Sequence, residues 1–321
     1  VHHVEVKRRM GEADIGALTR LLDVASAADG HRALGEHKWL DLVQGGREGF
    51  AGFIAREPDH HRLIGYAQIS RGESSSWAVE YVVHPGWRQP DFGLREDLVR
   101  AALDEIALQG GGHVHVWVPM PTEADDAVAA ALGLRRGRDL HQMRRPLPLD
   151  DQHSSLPTRP FRPGVDEERW LAVNNQAFRG HPEQGVWTLE TIADRERQDW
   201  FDPAGFLLYD LDGDLAGFCW TKVHEEEQLG EIYVIAVNPY YQGRGFGKQL
   251  LLAGLDHLSD RGVPTAMLYV DHDNAEAVGL YKSLGFSVDH VDRAYTGDIA
   301  ANAFGEPGTS RQSGAADQPG H

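Results

Sequence analysis

The chain has 321 residues, 41% of them hydrophobic, which at roughly 150 residues per domain leaves material for two cores. Lysine and arginine number 31 against 49 aspartates and glutamates, and the formal charge of −18 repels nucleic-acid backbones and anionic membranes, so phosphate binding must rest on local backbone geometry. The single cysteine, Cys219, excludes an internal disulfide and a cysteine-based zinc cluster, and no apolar run approaches the roughly 18 residues of a bilayer span.

The first residues are too charged for a signal peptide, so the chain is expected in the cytoplasm. The initial valine and the abundant Ala, Gly and Arg point to a GC-rich bacterial gene. Alternating and helical apolar spacings predict strands at 50–55, 63–70 and 77–83, a helix at 94–108, a strand at 113–118, a helix at 124–132 and a strand at 140–145. Prolines 146, 148, 157, 160 and 163 then forbid a helix and favour an extended connector. The expected division is a domain at 1–148, a linker at 149–164, a second domain at 165–299 and a tail at 300–321 too poor in large apolar groups to fold. The second half predicts a helix at 167–178, a hairpin of 206–209 and 215–223 around Asp212 and Gly213, a strand at 231–237, a helix at 247–261, a strand at 266–270, a helix at 274–284 and a strand from Ser287.

The two halves repeat one order of elements. Pro85 and Pro239, Arg88 and Gln242, and Gly93 and Gly247 are all 154 apart, while Gly65 and Gly217, Val118 and Val270, and Gly133 and Gly285 are 152 apart. Two consistent registers imply an internal duplication.

After the strand ending at Val237 come Gln242, Gly243, Arg244, Gly245, Phe246, Gly247 and Lys248, followed by an apolar helix. Glycines let a backbone approach a pyrophosphate, and the free N–H groups and dipole of a helix start attract it. A nucleotide P-loop would need glycine at Gln242 and Ser or Thr at Gln249, and a dinucleotide fingerprint would need glycine at Lys248. What the turn does fit is Gln/Arg-x-x-Gly-x-Gly/Ala, and downstream stand Asn274, Ala277, Leu280, Tyr281, Gly285 and Phe286 in the order Asn-x-x-Ala-x-x-Leu-Tyr-x-x-x-Gly-Phe. On these two motifs the second half resembles the GCN5-related N-acetyltransferases.

The resemblance implies an α/β fold of two tandem acetyltransferase domains, each a mixed sheet flanked by helices, with acetyl-CoA as co-substrate and no metal. It implies cofactor contacts at Ile235, Ala236 and Val237, at the turn residues from Gln242 to Lys248, and at Asn274, Ala275, Glu276, Ala277, Val278 and Gly279. Asn274 would cap a helix, and Tyr281 would reach the cofactor sulfur and protonate the departing thiolate. Three further stretches, Gly180-His181-Pro182-Glu183-Gln184-Gly185, Leu229-Gly230-Glu231-Ile232-Tyr233-Val234 and Leu268-Tyr269-Val270, are similar to tandem, actinobacterial members that acetylate the cysteinyl amine of a cysteine–glucosamine–inositol conjugate. That similarity implies substrate contacts at Glu36, Glu183, Lys222, Glu231 and Tyr269, with Glu231 as general base acting through a water. An α-amino group with a pKa of about 7.7–8.0 asks little of such a base. The partner implied is a small-molecule amine, with no nucleic acid or membrane, and the chain is expected to be a monomer. Other amine acceptors, or a non-catalytic acyl-CoA sensor, remain as alternatives.

The first half departs from this pattern. In the register of 154, Asp91 stands opposite Gly245 and Trp77 opposite Glu231; in the register of 152, Ala129 and Thr122 stand opposite Tyr281 and Asn274. The resemblance implies that the first domain can hold a second acetyl-CoA without turning it over, at positions matching Tyr81, Val82 and Val83 and the turn from Arg88 to Gly93, but the first half reads as a scaffold forming one wall of the acceptor cleft. The seventeen histidines include no His-Glu-x-x-His pair, Asp210, Asp212 and Asp214 belong to a hairpin turn, Cys219 reads as a buried small hydrophobe, and residues 224–227 read as a solvated turn.

Overall fold

The computed structural model of the protein describes residues 2–46, 48–58, 62–72, 76–89, 92–149, 152–180 and 184–302. The first half runs β1 (Val4–Lys7), α1 (Glu12–Asp29), α2 (Glu36–Val43), β2 (Ala51–Arg56), β3 (Leu63–Arg71), β4 (Ser76–Val83), α3 (Leu94–Leu108), β5 (Gly112–Pro119), α4 (Glu123–Ala131) and β6 (Arg135–Pro146). The second runs β7 (Arg159–Pro160), α5 (Glu167–Ala177), α6 (Leu189–Glu196), β8 (Phe206–Leu211), β9 (Asp214–His224), β10 (Leu229–Val237), α7 (Phe246–Asp260), β11 (Thr265–Asp271), α8 (Ala275–Ser283) and β12 (Ser287–Ile299). Helices α1, α2 and α6 are additional to the elements that the spacing of apolar residues predicts.

The long helix of each half follows from apolar residues three and four apart. Leu94, Leu98, Ala102 and Ile106 of α3 are buried, as are Leu250, Leu251, Leu255 and Leu258 of α7. Each lies across its strands at a glycine: a Cβ on Gly65 would stand 2.8 Å from Leu98 Cδ1, and one on Gly217 would stand 2.6 Å from Leu250 Cδ1. The repeated glycines are therefore room for a helix. The opposite face of the sheet is covered by α1, which buries Leu18 and Leu21, and by α5, whose Trp170 packs edge-on against Phe206, Phe218 and Trp220.

All twelve strands form one sheet, in the order β1-β2-β3-β4-β5-β12-β6-β11-β10-β9-β8-β7. The middle of this order is an exchange. The last strand of the second half, β12, lies antiparallel to β5 of the first, and β6 of the first half lies antiparallel to β11 of the second, with Tyr269 opposite Gln142. The two traded strands also pair with each other. Each half thus completes the other's sheet. The pairing of β6 with β12 reaches back to Arg135, which is why β6 begins before the expected strand at 140.

The proline-rich connector is docked along the second half. Ser154 N–H donates to Asp256 Oδ2 at 2.9 Å, Ser155 N–H donates to Gln249 Oε1 at 2.8 Å, and β7 pairs with β8. Of the expected tail, 303–321 lies outside the described residues.

Candidate active site

The glycine turn of the second half follows a one-turn helix, Pro239–Tyr241, whose entry is held by the Asn238 side chain accepting from Tyr240 N–H at 3.1 Å. Gly243 and Gly245 have φ of +76° and +79°, and Gly245 is the N-cap of α7 with no side-chain cap. A left-handed φ favours glycine here, and the uncapped N–H groups of Phe246, Gly247 and Lys248 open outward. A solvent-facing helix start with Lys248 in its first turn suits a pyrophosphate.

The first half requires a correction of register. Helix α3 starts at Leu94 and α7 at Phe246, 152 apart, after the matching one-turn helices Pro85–Trp87 and Pro239–Tyr241. The connecting turn is six residues, 88–93, in the first half and four, 242–245, in the second. The counterpart of Gly245 is therefore Gly93, also left-handed at φ +64°, and not Asp91, which lies outside the described residues. Where the second half has Gly247, Lys248 and Gln249, the first has Arg95, Glu96 and Asp97. Two acids, Glu96 and Asp97, thus stand in the first turn of α3, where they disfavour a bound polyanion.

A second difference decides where the sheet opens. β9 and β10 pair with a register shift between Ile232 and Val234, so Tyr233 is an inserted bulge residue. β3 and β4 pair without one. Counting through the pairings, Glu231 opposes Lys222 and matches Ala78, which opposes Ser70; Trp77 is not its counterpart. The bulge also ends the parallel ladder. Leu229, Gly230 and Glu231 pair with Thr265, Ala266 and Met267, and no pairing of β10 with β11 follows among the described residues, whereas β4 stays on β5 through Glu80 and Trp117. Past Glu231, the segment Ile235, Ala236 and Val237 borders a wedge between splayed strands; Asn238 N–H donates to the Ala216 carbonyl of β9, so by strand alternation Ala236 also faces β9, and the N–H groups of Ile235 and Val237 turn to the open edge.

At the other edge of this wedge, Asn274 caps α8, its side chain accepting from Ala277 N–H at 3.2 Å. Ala277 and Val278 pack on the second-half core, while Ala275, Glu276 and Gly279 are exposed. Tyr281 is buried, and burial pushes its phenol up to about 12, so the hydroxyl keeps its hydrogen at neutral pH. The counterpart cap is Thr122, and the counterpart of Tyr281 is Ala129. There Tyr81 donates to Asp125 Oδ1 at 2.9 Å, Val82 and Val83 are buried, and the remaining void is about 10 Å³.

Glu36, Lys222, Glu231 and Tyr269 come together on a cavity of about 1070 Å³ that both halves line. Its floor is the continuous sheet, and α2 and α6 contribute Glu36 and Arg195 to its walls. Lys222, 3% exposed, pairs with Glu36 across the halves, and its ammonium lies 4.1 Å from the Trp200 ring centroid. Burial holds Lys222 below the usual lysine range. Burial alone would raise Glu36, but the Lys222 ammonium outweighs it and holds the carboxyl below its ordinary value. Arg195 donates to the bulge residue Tyr233 at 2.9 Å and stacks 4.0 Å from the Trp187 ring. Burial, with the Glu231 carboxylate adding to it, pushes the Tyr269 phenol well up. Glu183 lies outside the described residues; its neighbour Gln184 lines the cavity and accepts from Asn174 through its carbonyl at 2.9 Å.

His224 corrects the reading of residues 224–227 as a solvated turn. It is half-buried, and its Nε2 lies 2.7 Å from Glu231 Oε2. Because the carboxylate accepts, that nitrogen carries the hydrogen. The hairpin between β9 and β10 sets Lys222 directly opposite Glu231 and His224 two residues further along the same face. A short chain of His, Glu and Lys in sequence carries no signal of such a contact until the pairing is known. Glu231 is therefore a buried carboxylate oriented by an imidazole, at the point where the strands part. That arrangement can take a proton from a group held in the cavity. Among the described residues, no group of three or more His, Cys, Asp or Glu is placed to hold a metal, and no helix is long and apolar enough to cross a membrane.

Comparison with known proteins agrees with this architecture. The Acetyltransferase (GNAT) family profile matches residues 168–286. The mycothiol acetyltransferase of Acidimicrobium ferrooxidans is 45% identical over 285 residues, covering 86% of this chain and 91% of the relative. That of Thermobispora bispora is 42% identical over 301 residues, covering 91% and 98%. Among solved structures, a tandem GNAT protein from the clavulanic acid biosynthesis pathway superposes with a TM-score of 0.68 at 17% identity, covering 94% of this chain and 100% of that one, a likeness of fold.

Proposed function

The chain belongs to the mycothiol acetyltransferase family, and on that premise we propose that it transfers the acetyl group of acetyl-CoA to the cysteinyl amine of a cysteinyl–glucosaminyl–inositol conjugate, giving mycothiol and CoA. The observation that carries this reading is the position of Glu231: the last residue of β10 paired to β11, buried, held by His224 and facing a cavity walled by both halves.

The acceptor amine must be neutral to attack the thioester carbonyl. Glu231 takes its proton through a water, and His224 keeps the carboxylate aimed. The N–H groups of Ile235 and Val237, on the edge of β10 that β11 leaves, stabilise the negative charge that develops on the thioester oxygen. Tyr281 donates its hydrogen to the leaving sulfur. The glycine turn from Gln242 to Lys248 and the α8 entry from Asn274 to Gly279 hold acetyl-CoA, and the fit rests on the left-handed Gly243 and Gly245 and the uncapped helix start. Glu36, Lys222, Glu183 and Tyr269 receive the acceptor, whose ammonium and hydroxyls are donors that suit carboxylates. The first half, 1–148, serves as the cavity's second wall; both walls come from one chain, so the site is complete in a monomer, and we assign the enzyme to the cytoplasm.

Release of CoA thiol, followed with the conjugate and separately with an aminoglycoside, a polyamine and a peptide N-terminus, tests this. Release dependent on the conjugate alone is the expected result. Equal release with the other amines overturns the acceptor assignment, and tight acetyl-CoA binding with no release overturns the enzyme reading.

A further inference from the structure

Gln142 lies on β6, the strand that the first half lends to the second, and is 3% exposed. Its Nε2 donates to the Tyr269 hydroxyl at 2.8 Å, and its Oε1 accepts from Arg144 Nε at 2.7 Å. Arg144 in turn faces Asp289 of β12 at 3.5 Å. A guanidinium has only donors, so the amide oxygen must face Arg144 and the amide nitrogen must face Tyr269. This orientation holds whichever way the amide is drawn.

The consequence falls on Tyr269. Its oxygen accepts from Gln142, so its own hydrogen must point elsewhere. Tyr269 stands two residues beyond Met267, the partner of Glu231, on the same face of the sheet; it is 41% exposed and lines the cavity. A phenol keeps its hydrogen at neutral pH, and desolvation of this hydroxyl, with the Glu231 carboxylate, raises its pKa further. The hydroxyl is thereby a donor toward whatever lies beside Glu231, and a ligand group there must offer a lone pair other than that of the attacking nitrogen.

We propose that Gln142 is a positioning residue that makes Tyr269 an obligate hydrogen-bond donor to the carbonyl oxygen adjoining the reacting amine, so that the site selects α-aminoacyl amides over simple alkylamines. The inference rests on the acceptor reading given above and deepens it. It also gives the first half a part in recognition through a strand of the shared sheet.

The test is the affinity of the cysteinyl–glucosaminyl–inositol conjugate by calorimetry, with acetyl-CoA affinity measured alongside. In Gln142→Glu the new carboxylate accepts from both Arg144 and Tyr269, which turns the hydroxyl away from the ligand. The conjugate should then bind at least about tenfold more weakly, with acetyl-CoA affinity unchanged. Tyr269→Phe alone should cost about as much. In the Tyr269→Phe background, Gln142→Glu should add less than about twofold, which separates a lost donor from the mere addition of charge. An unchanged affinity in Gln142→Glu, or an equal loss in the Phe background, overturns the proposal. If the conjugate binds the wild type but receives no acetyl group, the acetyltransfer reading fails while these binding outcomes still decide the role of Gln142.

Discussion

Replacing Glu231 by glutamine removes a base while keeping shape and a hydrogen-bonding group beside His224. Two contributions are at stake. An α-amine with a pKa of about 7.7–8.0 is only about a tenth neutral at pH 7, so deprotonation of the bound ammonium is worth at most about tenfold there. Removing the second proton as the nitrogen bonds to the carbonyl is general-base catalysis proper, commonly worth about 10²–10⁴-fold. Glu231→Gln should therefore lower kcat by on the order of 100-fold or more at pH 7. Raising the pH to 9 should recover no more than about tenfold of the loss, because only the first contribution is supplied by solution. The assay is CoA-thiol release at saturating acetyl-CoA across pH 6 to 9.5, with the melting temperature and acetyl-CoA KM expected to stay near wild type. Turnover within about threefold of wild type at pH 7 would refute the assignment, and full recovery at pH 9 would restrict Glu231 to deprotonating the ground state.

Tyr281→Phe should reduce kcat by about 10- to 100-fold without raising the acetyl-CoA KM, since the variant loses only a hydrogen donated to the leaving sulfur; steady-state kinetics separate the two. Gly245→Ala and Gly93→Ala both force a side chain into left-handed backbone with open space around it, so each should cost about 1–2 kcal/mol in thermal or denaturant unfolding. Only Gly245→Ala should raise the acetyl-CoA KM, and an equal rise in both variants would refute the asymmetry of the two turns. Glu196, on α6, is pushed up to about 7 by burial and by Glu167, against the pull of Arg197. The folded state then binds a proton that the unfolded state has released between about pH 4.5 and 7, so wild-type stability falls as pH rises through that window. Glu196→Gln should remove the decline, gaining on the order of 1 kcal/mol at pH 8 after allowance for solvent screening, and parallel melting curves from pH 5 to 8 would contradict it.

The parts of this fold that were legible in sequence are those with local causes. The helical spacing of Leu250, Leu251, Leu255 and Leu258 defines α7, Asp212 and Gly213 mark a hairpin turn, and the glycines before Phe246 mark a helix entry. What escaped depends on pairing between distant segments. A bulge is one extra residue with no composition of its own, so Tyr233 shifted the count and set Trp77 rather than Ala78 opposite Glu231. The longer turn of 88–93 shifted it again and set Asp91 opposite Gly245. His224 became a partner of Glu231 only through the β9–β10 register, and Gln142 a partner of Tyr269 only through the exchange of β6 and β12.

That exchange explains how a half with a longer turn, no bulge between β3 and β4, and Ala78 and Ala129 at the places of Glu231 and Tyr281 is still bound to the chemistry. β11 has β10 on one side only as far as Glu231, and on its other side it has β6 along its full length, from Thr265 to Asp271. Without residues of the first half, the strand carrying Tyr269 would therefore be a largely unpaired edge, and exposed edges of this kind are points of slippage and aggregation. Lys222 would also lose Glu36, the carboxylate that compensates its burial; in the intact fold, removing one member of such a buried pair typically costs about 3–5 kcal/mol. Loss of catalytic groups from one copy is tolerable because they act locally. Loss of that copy's strand and carboxylate is not, because the other copy's site is built on them.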